Sequence, residues 1–326
     1  MLIDMARRRW KRWVAGSAAV LAASVATVWF TPSLFVPLVT AVARAALGVR
    51  QADVQVDGRT WGYIESGPAD APAVLLLHGF GTSREAMMGL MPWLADSHRA
   101  IAPDLPGFGR HPYHDGSVHD ADFYVRQIVA FADALGLERF DVVGTSMGGA
   151  LATHLAARHP DRVSRLVLLA PAGVRAPVQN EFMREVEHGS NPLDIASEQD
   201  FDRVLGYVFE VRPPVPWQFR SFMTAEAVRR RPQTLRIVEA IRPFLLEGLH
   251  DELDEVRAPT LVVWGDRDRV TDRSMMPVFT AGIPGSSGAL VRGAGHVVFS
   301  DAPEETRRLV VPFLSRSAEP GTAAGQ

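Results

Sequence analysis

The sequence predicts an α/β fold: a mostly parallel central sheet with flanking helices, a helical insertion, and an apolar helix at the N-terminus. Three observations predict it. Short apolar runs of strand length alternate with helix-length runs along most of the 326 residues. One strand, Phe140 to Val143, meets a helix-like run, Ala150 to Arg158, through the tight turn Gly144-Thr145-Ser146-Met147-Gly148. Finally, the strand ending at Leu169 and the strand opening at Thr260 are separated by a stretch without strand patterning.

In chain order, alternation over Val54 to Ile64 predicts a hairpin, and Val74 to Leu77 a buried strand that ends in His78-Gly79-Phe80-Gly81. A helix over Ser83 to Ala95 precedes the strand Arg99 to Pro103, and a helix over Asp120 to Leu135 leads into the strand before Ser146. After the strand Arg165 to Leu169, the gap is too long for a strand-to-helix connection. Its helical patterns are broken by Pro192, Pro213, Pro214, Pro216, Pro232 and Pro243, which predicts a helical cap over residues 174–257. Thr260 to Gly265 is a buried strand running into Asp266-Arg267-Asp268, and the short strand Ala289 to Val291 precedes Gly293-Ala294-Gly295-His296. Helix Glu304 to Leu314 closes a core made of residues 52–173 and 258–314, and residues 315–326 read as a disordered tail.

The chemistry follows from three residues. A serine hydroxyl is a poor nucleophile at neutral pH and needs an imidazole to take its proton, while the imidazole needs a carboxylate to fix its tautomer and stabilise its charged form. Ser146, His296 and Asp268 supply these groups in the order nucleophile, acid, histidine. Asp266 is the rival acid, and the Gly-x-x-Asp spacing from Gly265 favours Asp268, beyond the turn rather than within it. Glycines on both sides of Ser146 give the adjoining strand and helix room to approach. The backbone N–H groups of Phe80 and Met147 are the expected oxyanion donors, and His78 is expected to brace the Phe80 loop through hydrogen bonds.

These motifs resemble those of the α/β-hydrolase family over Ala52 to Leu314: His78-Gly79-Phe80-Gly81, Asp104-Leu105-Pro106-Gly107-Phe108-Gly109, the serine turn, and Gly-x-x-Asp followed by Gly-His. Within that family, Gly144-Thr145-Ser146-Met147-Gly148-Gly149, Pro171-Ala172-Gly173 and the uncharged N-terminal segment resemble membrane-anchored monoacylglycerol lipases and related bacterial esterases. The resemblance implies an ester hydrolase acting on monoacylglycerols or medium-chain acyl esters through an acyl-enzyme, with no cofactor. The alternatives are a carbon–carbon bond hydrolase of the ring-cleavage type, which also uses a serine triad, and a non-catalytic binding module on the same fold.

At the N-terminus, Arg7, Arg8, Arg9, Lys11 and Arg12 lie in a basic segment, residues 1–13, ahead of a stretch free of charge from Val14 to Ala43. Residues 14–31 are long enough for a transmembrane anchor of about 27 Å that ends at Pro32, and the basic flank predicts a cytoplasmic N-terminus. The expected location is a bacterial inner membrane, with the catalytic domain on its periplasmic or outer face. An apolar stretch longer than a signal peptide's, with no small-residue cleavage site closing it, favours an anchor over a cleaved signal. Residues 32–51 continue apolar and either lie on the membrane surface or pack on the catalytic domain.

A formal net charge of -3 carries no nucleic-acid signature, so the expected partners are a lipid or acyl-ester substrate and a membrane. The absence of cysteine excludes disulfides and thiolate chemistry. His111, His114 and His119 have loop-like spacing, which favours an exposed polar loop over a metal site. Arg229-Arg230-Arg231 reads as a solvated or headgroup-facing surface.

Overall fold

The computed structural model describes residues 23–316. Eight strands form one sheet in the order β1 (Arg50–Val56), β2 (Arg59–Ser66), β4 (Arg99–Pro103), β3 (Ala73–Leu77), β5 (Phe140–Thr145), β6 (Val163–Leu169), β7 (Thr260–Gly265), β8 (Ser287–Val291). The first two pairings are antiparallel and the rest parallel. Strand side chains alternate faces, and the apolar runs feed two separate cores. Leu75, Leu77, Val142, Leu168 and Trp264 pack into one. Val74, Leu76, Val143, Leu169 and Val263 pack into the other. Burial on both faces explains why these central strands read as continuous apolar runs.

Helix α2 (Ala121–Ala134) starts where Asp120 accepts a hydrogen bond from the Phe123 N–H at 2.8 Å. Helix α3 (Met147–Arg158) begins directly after Ser146, three residues earlier than the apolar pattern suggested. The helix expected over Ser83 to Ala95 is instead a 3₁₀ turn, Arg84–Met87, and a single α turn, Met91–Leu94. The Arg84 N–H is drawn off to the Asp104 carboxylate at 2.9 Å, and Pro92 has no N–H to give.

Between β6 and β7 lie α4 (Glu181–Glu187), α5 (Glu198–Val208) and α6 (Trp217–Glu247). Pro232 and Pro243 do not break α6, contrary to the sequence reading. Both prolines face solvent, where carbonyls left without a donor are hydrated.

The span expected over 14–31 falls partly outside the described residues. From Ala23 the chain is helical to Phe30, then turns by 95° into α1 (Pro32–Ala46). Pro32 opens α1 as its first residue and donates no hydrogen bond back into the preceding helix. Among the described residues no single helix is long and apolar enough to cross a membrane, although the bent pair passes together by length and composition. Helix α1 packs on α6, with Phe35 and Phe219 edge to face at 6.2 Å, and Arg44 pairs with Glu85 at 3.0 Å. Its other side presents Leu34, Leu38 and Val42 to solvent, and Phe30 before the turn is exposed too. The segment 32–51 thus packs on the catalytic body by one face and leaves the other bare.

Candidate active site

Ser146 sits at the β5–α3 junction with φ 54° and ψ −120°, a conformation that L-residues rarely adopt. The surroundings hold it there. Its N–H donates to Leu169 O at 3.1 Å, and its carbonyl accepts from Ala150 and Ala172 N–H at 3.0 and 3.2 Å. The flanking glycines are required by contact: a Cβ on Gly144 would lie 2.3 Å from Gly148 O, and one on Gly148 would lie 2.2 Å from Leu77 O. The result is a half-buried hydroxyl at the C-terminal edge of the sheet.

The loop after β3 passes beside that hydroxyl, since a Cβ on Gly79 would come within 3.3 Å of Ser146 Cβ. Two buried side chains set the loop's course. His78 accepts the Leu105 N–H on Nε2 at 3.0 Å, which leaves its Nδ1–H to donate to Gly79 O at 2.8 Å. Burial lowers its pKa, so it stays neutral in this bracing role. Asp104 accepts from the Arg84 and Arg110 N–H groups, both at 2.9 Å. Among the described residues neither the Phe80 nor the Met147 N–H has a protein acceptor, Met147 being the first residue of α3.

Asp268 and His296 meet at 2.8 Å, Oδ2 to Nδ1, both buried. The carboxylate is held on its other sides too. Oδ1 accepts the Val270 and Thr271 N–H groups at 2.8 and 3.1 Å, and Oδ2 accepts the Thr271 hydroxyl at 2.9 Å. With Nδ1 engaged, His296 keeps Nε2 for chemistry. Asp266 is turned elsewhere, accepting the Gly293 N–H at 2.7 Å and so tying the acid turn to the histidine loop. Thr271 escaped the sequence reading. The signal for it is its place three residues beyond an aspartate, where an Asx-type turn brings hydroxyl and carboxylate together.

A cleft opens from Ser146 and Met147, lined by Phe80 and by Phe182, Met183, Leu193, Leu245 and Leu246 of the insertion. Not every large apolar side chain of the insertion lines it. Trp217 and Met223 are exposed on the outer surface instead.

The expectation of an exposed loop at His111, His114 and His119 is corrected: all three are buried. His111 and His114 share a hydrogen bond between their Nε2 atoms at 2.9 Å, and His119 stacks on Tyr113 with ring centroids 4.2 Å apart. Flanking aromatic residues Trp61, Tyr113 and Phe123 supply the burial that residue spacing cannot reveal. Burial pushes His111 down to about 3 and His119 to about 4, so both are neutral. Among the described residues, no group of three or more histidine or acidic side chains is arranged to hold a metal ion. Arg229 and Arg230 pair with Glu226, and Arg231 with Asp194, in a surface ion-pair network.

Comparison with known proteins agrees with the α/β architecture. A family model of the alpha/beta hydrolase fold matches residues 72–303. The chain is 28% identical over 289 residues to the monoacylglycerol lipase abhd6-B of Xenopus laevis, covering 83% of this chain and 84% of that protein. It is 28% identical to Lipase 1 of Psychrobacter immobilis, with 75% of this chain and 77% of the relative aligned. Among solved structures, a membrane phospholipase A superposes with a TM-score of 0.84 at 34% identity, over 93% of this chain and 98% of that one.

Proposed function

Because the chain belongs to the α/β-hydrolase family and is a carboxylic ester hydrolase, we propose that it cleaves monoacylglycerols and other medium-chain acyl esters at Ser146. Ser146 Oγ attacks the ester carbonyl while His296 Nε2 takes its proton, and Asp268 on Nδ1 stabilises the imidazolium. The Phe80 and Met147 N–H groups receive the developing oxyanion, each such donor being worth about 3 kcal/mol in the transition state. Collapse expels the alcohol, which takes the proton from His296, and a water attacks the acyl-enzyme by the same route to release the acid. No step calls for a cofactor.

The observation that carries this reading is the buried Asp268–His296 pair at 2.8 Å together with a strained Ser146 that opens an apolar cleft lined also by Val270 and Thr271 of the acid loop. An apolar cleft suits an acyl chain, and relatives named for monoacylglycerol lipase activity support the glycerol ester. On this reading residues 174–257 are a cap over a core of 52–173 and 258–314. The purified full chain should bind a fluorophosphonate at Ser146 and hydrolyse monoacylglycerols faster than triacylglycerols or short simple esters. Turnover of a vinylogous diketone without ester hydrolysis would make it a carbon–carbon bond hydrolase, and failure to label would make it a binding module.

The same reading includes membrane anchorage through residues 14–31, with the catalytic domain on the outer face of a bacterial inner membrane. Support comes from the basic cluster, the uncharged run, the bare apolar stripe of α1, and the membrane phospholipase A likeness. The protein should stay with membranes through a high-salt wash, and protease added to spheroplasts should reach its catalytic domain. A mature N-terminus downstream of residue 31 would show a cleaved signal instead.

A further inference from the structure

The two catalytic loops are fastened to the insertion by a set of contacts that the triad itself does not require. Arg267 and Arg269, the immediate neighbours of Asp268, both reach the carboxylate of Glu210, just beyond α5. Arg267 Nη1 lies 2.7 Å from Oε1, Arg269 Nη2 pairs with Oε2, and Arg269 Nη1 also donates to Gly206 O at 2.7 Å. On the histidine side, Asp301 Oδ2 accepts the N–H of Gly295 at 2.8 Å and that of Glu210 at 3.0 Å. Val297 N–H, on the other flank of His296, donates to Val208 O at 3.2 Å. The residues on both sides of Asp268 and both sides of His296 are therefore held, directly or through Asp301, by the single segment Gly206 to Glu210. The fit is close, because a Cβ on Gly295 would lie 2.9 Å from Glu210 N.

We propose that Glu210 is a positioning residue for ester hydrolysis: it makes the insertion the frame that sets the Asp268–His296 geometry. The proposal rests on the reading of Asp268 and His296 as the catalytic pair. The acid turn is tied to the histidine loop by the Asp266 and Arg267 N–H groups, each 3.0 Å from a carbonyl, and Glu210 adds the tie from that turn to the insertion. Two guanidinium groups on one carboxylate with a mostly buried side chain give the turn a fixed, charge-assisted anchor. A loop released by even 1 Å changes how well the imidazole meets the serine proton, while of the acyl cleft's lining only Val270 and Thr271 belong to that loop. Loss of the anchor should thus be felt in the chemical step and not in substrate binding.

The test is Glu210→Gln in the detergent-solubilised full chain, which preserves shape and removes the charge. The expected result is a fall in kcat of about tenfold to 100-fold, with KM changed less than about twofold and fluorophosphonate labelling slowed by the same factor as kcat. Arg267→Gln with Arg269→Gln, at two half-exposed positions that do not threaten folding, should reproduce that fall. Adding Glu210→Gln to it should cost nothing more, because the Glu210 carboxylate acts on the acid turn through those two guanidinium groups. Wild-type kcat and labelling rate in both variants would overturn the proposal, as would losses that multiply or a rise confined to KM. If the wild-type chain labels as fast as Ser146→Ala, the underlying triad reading fails instead.

Discussion

His296 and the His111/His114 pair are both buried, but one imidazole is backed by a carboxylate and the others by each other. The difference decides what each can do. A buried imidazole facing an aspartate has a partner for the charge it must carry when it takes a proton. Buried imidazoles facing one another would gain only repulsion, so they stay neutral and serve as packing and hydrogen-bonding groups. Burial alone therefore does not mark a functional histidine, nor does a carboxylate alone, since buried His154 has Glu252 on one ring nitrogen and Asp122 on the other; His296 differs in keeping its second nitrogen free of a protein partner among the described residues.

The largest effect should come from removing the carboxylate partner of His296. Asp268→Asn is expected to lower kcat by about 10⁴-fold with the fold intact, and Ser146→Ala to abolish acyl-enzyme formation, both read by burst kinetics and fluorophosphonate labelling. An Asp268→Asn enzyme with near-normal kcat would erase the distinction between the two histidine sites.

The neutral cluster is sharpened by pH. His111 has a folded pKa near 3 against about 6.5 unfolded, so between those values the unfolded chain binds more protons than the folded one. Its contribution to stability is complete above pH 6.5 and is lost as pH falls toward 3, at about 1.4 kcal/mol per pH unit at the steepest. Unfolding curves should show His111→Phe losing less stability from pH 7 to pH 4.5 than wild type. An equal slope would mean that His111 is protonated in the folded state.

A smaller effect is expected at the cleft, where Phe182→Ala and Leu246→Ala should move the preferred acyl chain length by changing pocket depth. About 1 to 3 kcal/mol per methylene is at stake there, and the labelling rate of a small fluorophosphonate should be unaffected. The smallest belongs to Asp266→Asn, which removes a loop contact to Gly293 but no partner of His296. A kcat loss there rivalling that of Asp268→Asn would reverse the assignment of the acid.

Much of the fold was legible because it rests on local signals. Apolar runs of strand length, an Asp120 cap and a glycine-flanked serine each operate within a few residues, whereas the order of the strands in the sheet, with β3 between β4 and β5, was not read from the sequence. The pairing of His296 with Asp268, and not with Asp266, agrees with the turn spacing. Helix continuity through Pro232 and Pro243 was not legible, because it depends on which face of α6 meets water. The His111 cluster was misread for a related reason, since aromatic residues from β2 and α2 enclose it.

By itself, then, the sequence determined the layer architecture, the serine turn, and the identity of the groups at the sheet's C-terminal edge. Backbone sterics and side-chain periodicity act over short distances and leave a mark in local pattern. Only the tertiary structure decided that Glu210 grips both neighbours of the acid, and that α1 packs one face on α6 while baring the other. Such contacts join residues up to about 190 positions apart, as between Trp29 and Gln218, and their energy depends on burial and charge pairing that no local pattern encodes.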